Sequence, residues 1–428
     1  MKIIADLHIH SHYSRATSEK MNIDEITRFA RIKGLNLVGT GDFTHPKWLE
    51  ELKEKLVEIS NTNLYGYAED PDSPVRYMIT NEVSTIFTFE NEVKKIHHII
   101  LTPSLETAVQ INERLARYGN LAADGRPTLD MNAPQLVEEV MEVSKDNVVI
   151  PSHAWTPWFS IFGAFSGFDR VEDCYQDMTK HIYALETGLS SDPPMNWRLS
   201  TLDKYALVSN SDSHSHWPWR IGREANVFEL EELAYTTVVN AIHKKDRERF
   251  KMTIETDPAY GKYHWTGHRN CNISLSSQEA IKFGNRCPVC RRRLTKGVEQ
   301  RVEELADRTA GFKPEEAIGY MHLLPLSEII ATVLGASYPS TTKVWDAYNK
   351  LIKEFNNEYN VLVDAAKEEM SRVVDSKIAE AIIRVREEKV KVIPGYDGVY
   401  GRLVIFEETE EEESLIEKVN QRSIVDFM

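Results

Sequence analysis

Histidines, carboxylates and cysteines recur along this chain at spacings that suit metal ions. His8 and His10 occupy alternate positions in Asp6-Leu7-His8-Ile9-His10-Ser11-His12, directly after the apolar run Ile3-Ile4-Ala5. Alternate side chains of an extended strand share a face. The two imidazoles therefore point the same way, as a divalent ion of the zinc, manganese or iron kind requires. One His-x-His pair is common in ordinary cores and surfaces. This one gains weight because similar residues follow several other apolar runs.

The elements that must position them alternate between strand-like and helical patterns through the first 250 residues. After the run at 3–5, a helix capped by Asn22 or Asp24 extends to about Lys33 and stops at Gly34. The expected strand 35–40 ends in Gly41-Asp42, and a helix over 46–59 follows. The strand 76–80 ends in Asn81-Glu82. Runs 83–89 and 93–101 form a strand pair around Glu90-Asn91-Glu92, the second run carrying His97-His98. Helices over 105–118 and 133–143 lead to the strand 148–150, which ends in Pro151-Ser152-His153. The run 182–185 ends in Glu186, and 205–208 ends in Ser209-Asn210-Ser211-Asp212-Ser213-His214. In barrels of alternating strands and helices, the strand ends converge on one mouth. Seven strand candidates with His, Asp or Glu at or near their ends would gather those groups in one place. Imidazoles and carboxylates together can hold more than one divalent ion. A carboxylate such as Glu82 or Asp212 can bridge two ions, so these two are the candidate catalytic residues. Paired ions suit hydrolysis of a phosphate ester or diester. The sequence has no G-x-S-x-G elbow, Walker loop or G-x-G-x-x-G fingerprint.

A second kind of site begins near Gly261. His268-x2-Cys271 is followed by Cys287-Pro288-Val289-Cys290, a spacing expected of a structural zinc site. Only three cysteines lie there, so His268 is the preferred fourth ligand and His264 the alternative. Arg291-Arg292-Arg293 comes directly after it, which in an acidic chain points to a phosphate backbone. Residues 155–168 hold six aromatics interleaved with Gly and Ser, immediately after His153. Trp158 and Phe159 are its candidates for stacking on a nucleic-acid base. Beyond Arg301 the chain is expected to be mainly helical, with helices over 344–356 and 361–388. Two terminal strands, 390–393 and 402–406, flank Pro394-Gly395-Tyr396-Asp397-Gly398, and an acidic tail follows over 407–413.

Composition sets outer limits. The chain has 428 residues, 42% hydrophobic content and a net charge of −15 from 51 basic and 66 acidic residues. That length allows two or three domains, and the charge excludes a wholly basic surface without excluding a local basic groove. Four cysteines, three of them clustered, fit a reducing compartment rather than a disulfide framework. No apolar run reaches the roughly 20 residues of a membrane span, and no signal peptide is visible. The expectation is a cytoplasmic protein without membrane association.

Taken together, Asp6-Leu7-His8-Ile9-His10-Ser11, Thr40-Gly41-Asp42, Asn81-Glu82, His98 before an apolar run, Ser152-His153 and Ser211-Asp212-Ser213-His214 resemble the motifs of the polymerase-and-histidinol-phosphatase (PHP) superfamily. The resemblance implies an α/β fold, a distorted seven-stranded barrel over 1–250 with two or three divalent ions (Zn²⁺, Mg²⁺ or Mn²⁺) in its mouth. It carries the ligand role to His8, His10, Glu82, His98, His153, Asp212 and His214. Asp42 or His45 takes the place of a further ligand. His97 faces away from His98 and is assigned a supporting role, while Glu186 is either a ligand or an orienting carboxylate. A zinc-binding module over 251–300 (Zn²⁺ on His268, Cys271, Cys287 and Cys290) and a mainly helical region over 301–428 follow. This order resembles the PHP nucleases of the endonuclease Q type. It implies DNA cleavage 5′ to a deaminated base (uracil, hypoxanthine, xanthine) or an abasic site. A sliding clamp is a conceivable protein partner that no stretch of the chain marks. The alternatives are a phosphomonoesterase of the histidinol-phosphatase kind, which has no need of the zinc module, and a binding protein with a relic barrel. Against the last, buried imidazoles and carboxylates without ions would be costly.

Overall fold

The computed structural model describes residues 1–406 of the chain. The acidic stretch 407–413 lies outside them. Lys2–Asp6 runs through the middle of an eleven-stranded mixed sheet. It pairs in parallel with Leu37–Gly39 and antiparallel with Ala225–Glu229. Leu37–Gly39 in turn lies parallel to Arg76–Phe89. That long strand forms a hairpin with Glu92–Thr102, which pairs with Val148–Pro151. On the opposite side, Phe250–Glu255 and Gly319–His322 extend the sheet.

The expected runs at 3–5, 35–40, 93–101, 148–150, 182–185 and 205–208 all coincide with strands. The runs 76–80 and 83–89 are one fourteen-residue strand, Arg76–Phe89. Glu82 therefore sits in mid-strand and not at a strand end. Ladder pairing does not join all the strands into one ring. Ala184–Glu186 and Ala206–Val208 form their own parallel pair. Side chains bridge the gap beside it. Asn210 Oδ1 accepts from Leu7 N at 2.8 Å, and Asn226 Nδ2 donates to the Ser209 carbonyl at 2.8 Å. The burial of Asn210 and Asn226 follows from that work, since a backbone group left unpaired in the core is costly.

The helices stop and start on local chemistry. Asn22 caps Ile23–Lys33 by accepting from Glu25 N, and Gly34 ends it in the left-handed region at φ 97°. The helix expected over 46–59 ends at Lys55, because Leu56–Ile59 turns into a hairpin with Leu64–Tyr67. The helix expected over 361–388 is three pieces, a π-turn Asn360–Asp364 and helices Lys367–Met370 and Ser376–Arg386. Ala365 and Ala366 adopt extended backbone between the first two, and Asp375 caps the last by accepting from Lys377 N. Lys391–Ile393 and Arg402–Val404 pair antiparallel, close to the expected terminal strands.

The first helix is bolted to the C-terminal helices by a buried ion pair. Lys33 Nζ lies 2.7 Å from Glu358 Oε1, and both side chains are at most 1% exposed. Lys33 also donates to the Pro218 carbonyl. Glu358 accepts from Leu326 N and from the Tyr348 hydroxyl. Glu358→Gln should destabilise the protein by about 3–5 kcal/mol, because it leaves the lysine charge buried without its partner. The double change Lys33→Met with Glu358→Leu should recover much of that loss. Urea midpoints of the two variants check this, and equal losses in both would contradict it.

Candidate metal centre

Two groups of potential ligands share one carboxylate. His8, His10, Glu82 and Asp212 form the first, and Glu82, His97 and His153 the second, with the ligand atoms of each group within 4.8 Å of one another. Glu82 faces both. Its Oε2 lies 3.6 Å from His8 Nε2 and 3.4 Å from His10 Nε2. Its Oε1 lies 3.1 Å from both His97 Nδ1 and His153 Nε2. Asp212 Oδ1 completes the first group, 3.1 Å from His10 Nε2 and 3.6 Å from His8 Nε2. His8 Nε2 is buried without a hydrogen-bond partner. Imidazole nitrogens and carboxylate oxygens around an orphaned nitrogen fit divalent ions, one in each group.

Each of the first two imidazoles is aimed from behind. His8 Nδ1 lies 3.0 Å from Glu186 Oε1, and His10 Nδ1 lies 2.9 Å from Asp42 Oδ1. A carboxylate on one ring nitrogen fixes the tautomer and turns the other nitrogen toward the ion. Both carboxylates are themselves held. Glu186 accepts from His153 N and Asn210 Nδ2. Asp42 accepts from Ser11 N, Ser11 Oγ and Ser14 Oγ. Asp42, His153 and Asp212 have φ of 49°, 29° and 46°. Such backbone is rare outside glycine, and it clusters where surrounding structure fixes a functional side chain.

The placement differs from the sequence expectation at several residues. His97 stands in the second group and His98 does not. His98 is buried between Thr85 Oγ1 at 2.9 Å and the Tyr175 hydroxyl at 2.8 Å, and burial pushes its pKa down to about 3. The reason is register. The hairpin pairs Phe89 with Glu92 across a two-residue turn, Glu90-Asn91, both at positive φ. Ser84 then faces His97 and Val83 faces His98. Glu82 and Ser84 share a face, so His97 joins Glu82. A three-residue turn would have exchanged the two histidines, because a one-residue slip flips every side chain. Asp42 backs His10 and does not face the ion position. His45 stacks on Tyr13 with ring centroids 4.3 Å apart. His214 lies beside the first group, 4.4 Å from the His10 ring, and belongs to neither. Sequence reasoning overlooked Arg126, whose Nη1 donates to Glu82 Oε2 at 3.0 Å.

The cysteine cluster assembles as a separate unit. His268, Cys271, Cys287 and Cys290 come together, with Cys290 Sγ 3.6 Å from His268 Nδ1. His264 is absent from the group. Arg291 follows Cys290 at φ 64° and, like Arg292, is exposed. Arg293 is exposed as well and lies over Phe165, at 5.5 Å. The aromatic stretch divides in two. Trp155, Ile161, Phe162 and Phe168 are core. Trp158 is 42% exposed and stacks on Phe165 at 5.0 Å, and Phe159 lies 4.7 Å from the His97 ring. Arg301, donating to the carbonyls of Phe162 and Phe168, ties this stretch to the region behind the cysteine cluster.

Known proteins share this fold over nearly the whole chain. Residues 325–389 match the family model described as the MJ0043 C-terminal domain. The uncharacterized protein MJ0043 of Methanocaldococcus jannaschii is 33% identical over 260 residues, 59% of this chain, and the match spans only 31% of that relative's length. The uncharacterized protein YqxK of Bacillus subtilis is 30% identical over 415 residues, covering 94% of this chain and 99% of the relative. The lesion-specific endonuclease PfuEndoQ of Pyrococcus furiosus is 33% identical and superposes with a TM-score of 0.84 over 97% of this chain and 99% of its own. A structure of endonuclease Q complexed with a 27-mer duplex substrate, an abasic lesion at its active site, gives the same TM-score and identity over 96% and 100%. The chain belongs to the endonuclease Q family. Among the described residues of this family member, no helix is long and apolar enough to cross a membrane.

Electrostatics prepare the first group to exchange protons for an ion. Burial disfavours charge on His8 and His10, but Glu186 and Glu82 around the first, and Asp42, Asp212 and Glu82 around the second, outweigh it. Both imidazoles are raised well above 6.5. An ion needs the neutral rings, so affinity should fall as pH drops and rise as pH increases above 6.5. Calorimetric titration with Mn²⁺ in buffers of different ionisation enthalpy should show proton release, and pH-independent affinity would contradict it. Glu186→Gln should weaken the ion by about 10–100-fold, since it loosens the aim of His8.

The cysteine cluster has its own check. Cys287→Ser or Cys290→Ser should lower the zinc content of the purified protein by one ion per chain. The module has a small core of Ile273, Leu275, Ala280, Cys287 and Leu294, so a bound ion would supply much of its folding energy. Unchanged zinc content would remove these cysteines as ligands.

Proposed function

We propose that this endonuclease Q family member is a metal-dependent DNA repair endonuclease. It hydrolyses the phosphodiester on the 5′ side of a deaminated base (uracil, hypoxanthine or xanthine) or of an abasic site. The observation that carries the reading is a cleft of about 500 Å³ that opens directly onto the candidate ion positions. His153, Asp212 and His214 line it together with Tyr260, Lys262, Tyr263, Glu328 and Tyr400. A cleft of this size suits a small ligand, and a nucleotide extruded from a duplex is one. Full-length likeness to a lesion-specific endonuclease supports the same reading.

Divalent ions held by His8, His10, Asp212, His97, His153 and the shared Glu82 would polarise the phosphoryl group and lower the pKa of a water. The protein's own residues do the rest. Tyr260 and Tyr263, half-buried in the lining of the cleft, would stack on a base. Arg220, 37% exposed, and Glu328 place a donor and an acceptor in the same cleft, 3.7 Å apart. Exposed Trp158 and the neighbouring Phe159 extend aromatic surface beside His97, and stacking of this kind contributes roughly 1–3 kcal/mol per base. Arg291, Arg292 and Arg293 contact the duplex backbone, and zinc on the cysteine cluster holds them in place.

End-labelled duplexes carrying one uracil, one hypoxanthine, one abasic site or only normal bases test this. Cleavage 5′ to the lesion in the presence of Mg²⁺ or Mn²⁺, with normal duplex intact, is the expected result. Arg291→Ala with Arg292→Ala should weaken binding to every duplex and flatten its log–log salt slope by about 0.9 per lost phosphate contact. Absence of DNA binding by the wild type, with turnover of a small phosphate monoester, would overturn the proposal in favour of a phosphomonoesterase.

A further inference from the structure

We propose that Arg126 is a catalytic residue that grips a non-bridging oxygen of the phosphoryl group between the two ion positions. The inference rests on the phosphodiesterase reading above. It begins with how firmly the residue is delivered. Gly125 N donates to the Tyr13 carbonyl, the Gly125 carbonyl accepts from Thr44 Oγ1, and Arg126 N donates to Asp124 Oδ1. The Pro127 carbonyl accepts from Ser84 N, on the strand that carries Glu82, and Thr128–Leu129 then pairs with that strand. Gly125 is required for this approach. A methyl group there would lie 2.3 Å from Asp42 Oδ2 and 2.4 Å from Ser14 Oγ. Backbone on both sides of Arg126 is thus pinned to the two elements that hold Asp42 and Glu82.

The side chain is underused by the protein. A guanidinium has five N–H donors. Among the described residues Arg126 spends its side-chain hydrogen bonding on Glu82 Oε2 alone, and 26% of the side chain remains exposed. Glu82 is the carboxylate shared by both ligand groups, so the guanidinium with its remaining donors lies next to the group that two ions would share. Charge points the same way. With neutral histidines, Glu82, Asp212, Asp42 and Glu186 supply four buried negative charges, which two divalent ions would match, so Arg126 is a cation in excess. A further fixed cation in that position stabilises the site only when an anion joins it. A planar fork of donors suits phosphate oxygens, and their negative charge grows in the transition state.

The test uses the full-length, metal-loaded protein and inorganic phosphate as probe. Arg126→Ala should weaken phosphate binding by about 10–100-fold, as loss of a charge-assisted hydrogen bond does. Arg126→Lys should recover part of it, and metal content should not change in either. On a damaged duplex, Arg126→Ala should lower kcat by about 10²–10³-fold with little change in KM, since the rest of the interface is intact. Phosphate affinity equal to wild type overturns the proposal. So does loss of bound metal in Arg126→Ala, which would make the arginine a counter-ion that holds Glu82. Phosphate binding is independent of DNA, so a wild type that cleaves no duplex would defeat the substrate reading and leave the arginine judged by its phosphate affinity.

Discussion

Everything at the mouth of this sheet depends on one buried carboxylate with two faces. Glu82 turns one oxygen toward His8, His10 and Arg126 and the other toward His97 and His153. A carboxylate this deeply buried is tolerated only if its charge is matched. Burial pushes the pKa of Glu82 up, but His97, Arg126 and His8 together draw it well below the usual range. The imidazoles in turn depend on Asp42 and Glu186 behind them. The site is a chain of mutual dependence, in which each charge is paid for by the next. A long continuous strand is the natural support, since Arg76–Phe89 has neighbours on both sides and holds Glu82 without a loop's freedom.

Much of this was legible in the sequence, and the misses have physical causes. Apolar runs followed by His, Asp or Glu located most of the strands and most residues of the two candidate ligand groups. Local patterns fix where a strand lies but leave its register to the turn. The resemblance pointed to His98, and the three-residue turn expected at Glu90-Asn91-Glu92 agreed with it, whereas the actual two-residue turn places His97 on the face of Glu82. Asp42 and Glu186 are carboxylates of the same type as Glu82 and Asp212, and only three-dimensional placement separates a group that faces an ion from one that backs a ligand. Arg126 carries no local signal, because its role arises from a fold that brings residue 126 to residue 82. A hydrophobic pattern shared by one long helix and three short ones concealed the breaks near Ala365 and Asp375.

The cysteine module is built into the wall of the site and is no mere appendage. Arg293 lies over Phe165, Trp158 meets Tyr263 with ring centroids 5.7 Å apart, and Arg301 holds the carbonyls of Phe162 and Phe168. The Asp397 carboxylate accepts from Arg269 N and Thr295 Oγ1, so the Gly-rich turn near the C-terminal strands braces the module from its other side. The aromatic stretch after His153 is thereby fixed at both ends, to a candidate ion ligand and to the cysteine-rich region.

The pair Lys33–Glu358 has a consequence for descent. A sheet of this kind could in principle be inherited alone and joined to new partners, as independent units are. Here its first helix keeps a charge in the interior that, among the described residues, Glu358 of the distant helical segment pairs with. A gene that lost that segment would have to replace Lys33 in the same step, and a gene that acquired it would have little reason to keep a neutral residue there. Loss of either partner alone would leave a buried charge unmatched, so a lysine at this place and a glutamate at the other should be gained or lost together among relatives.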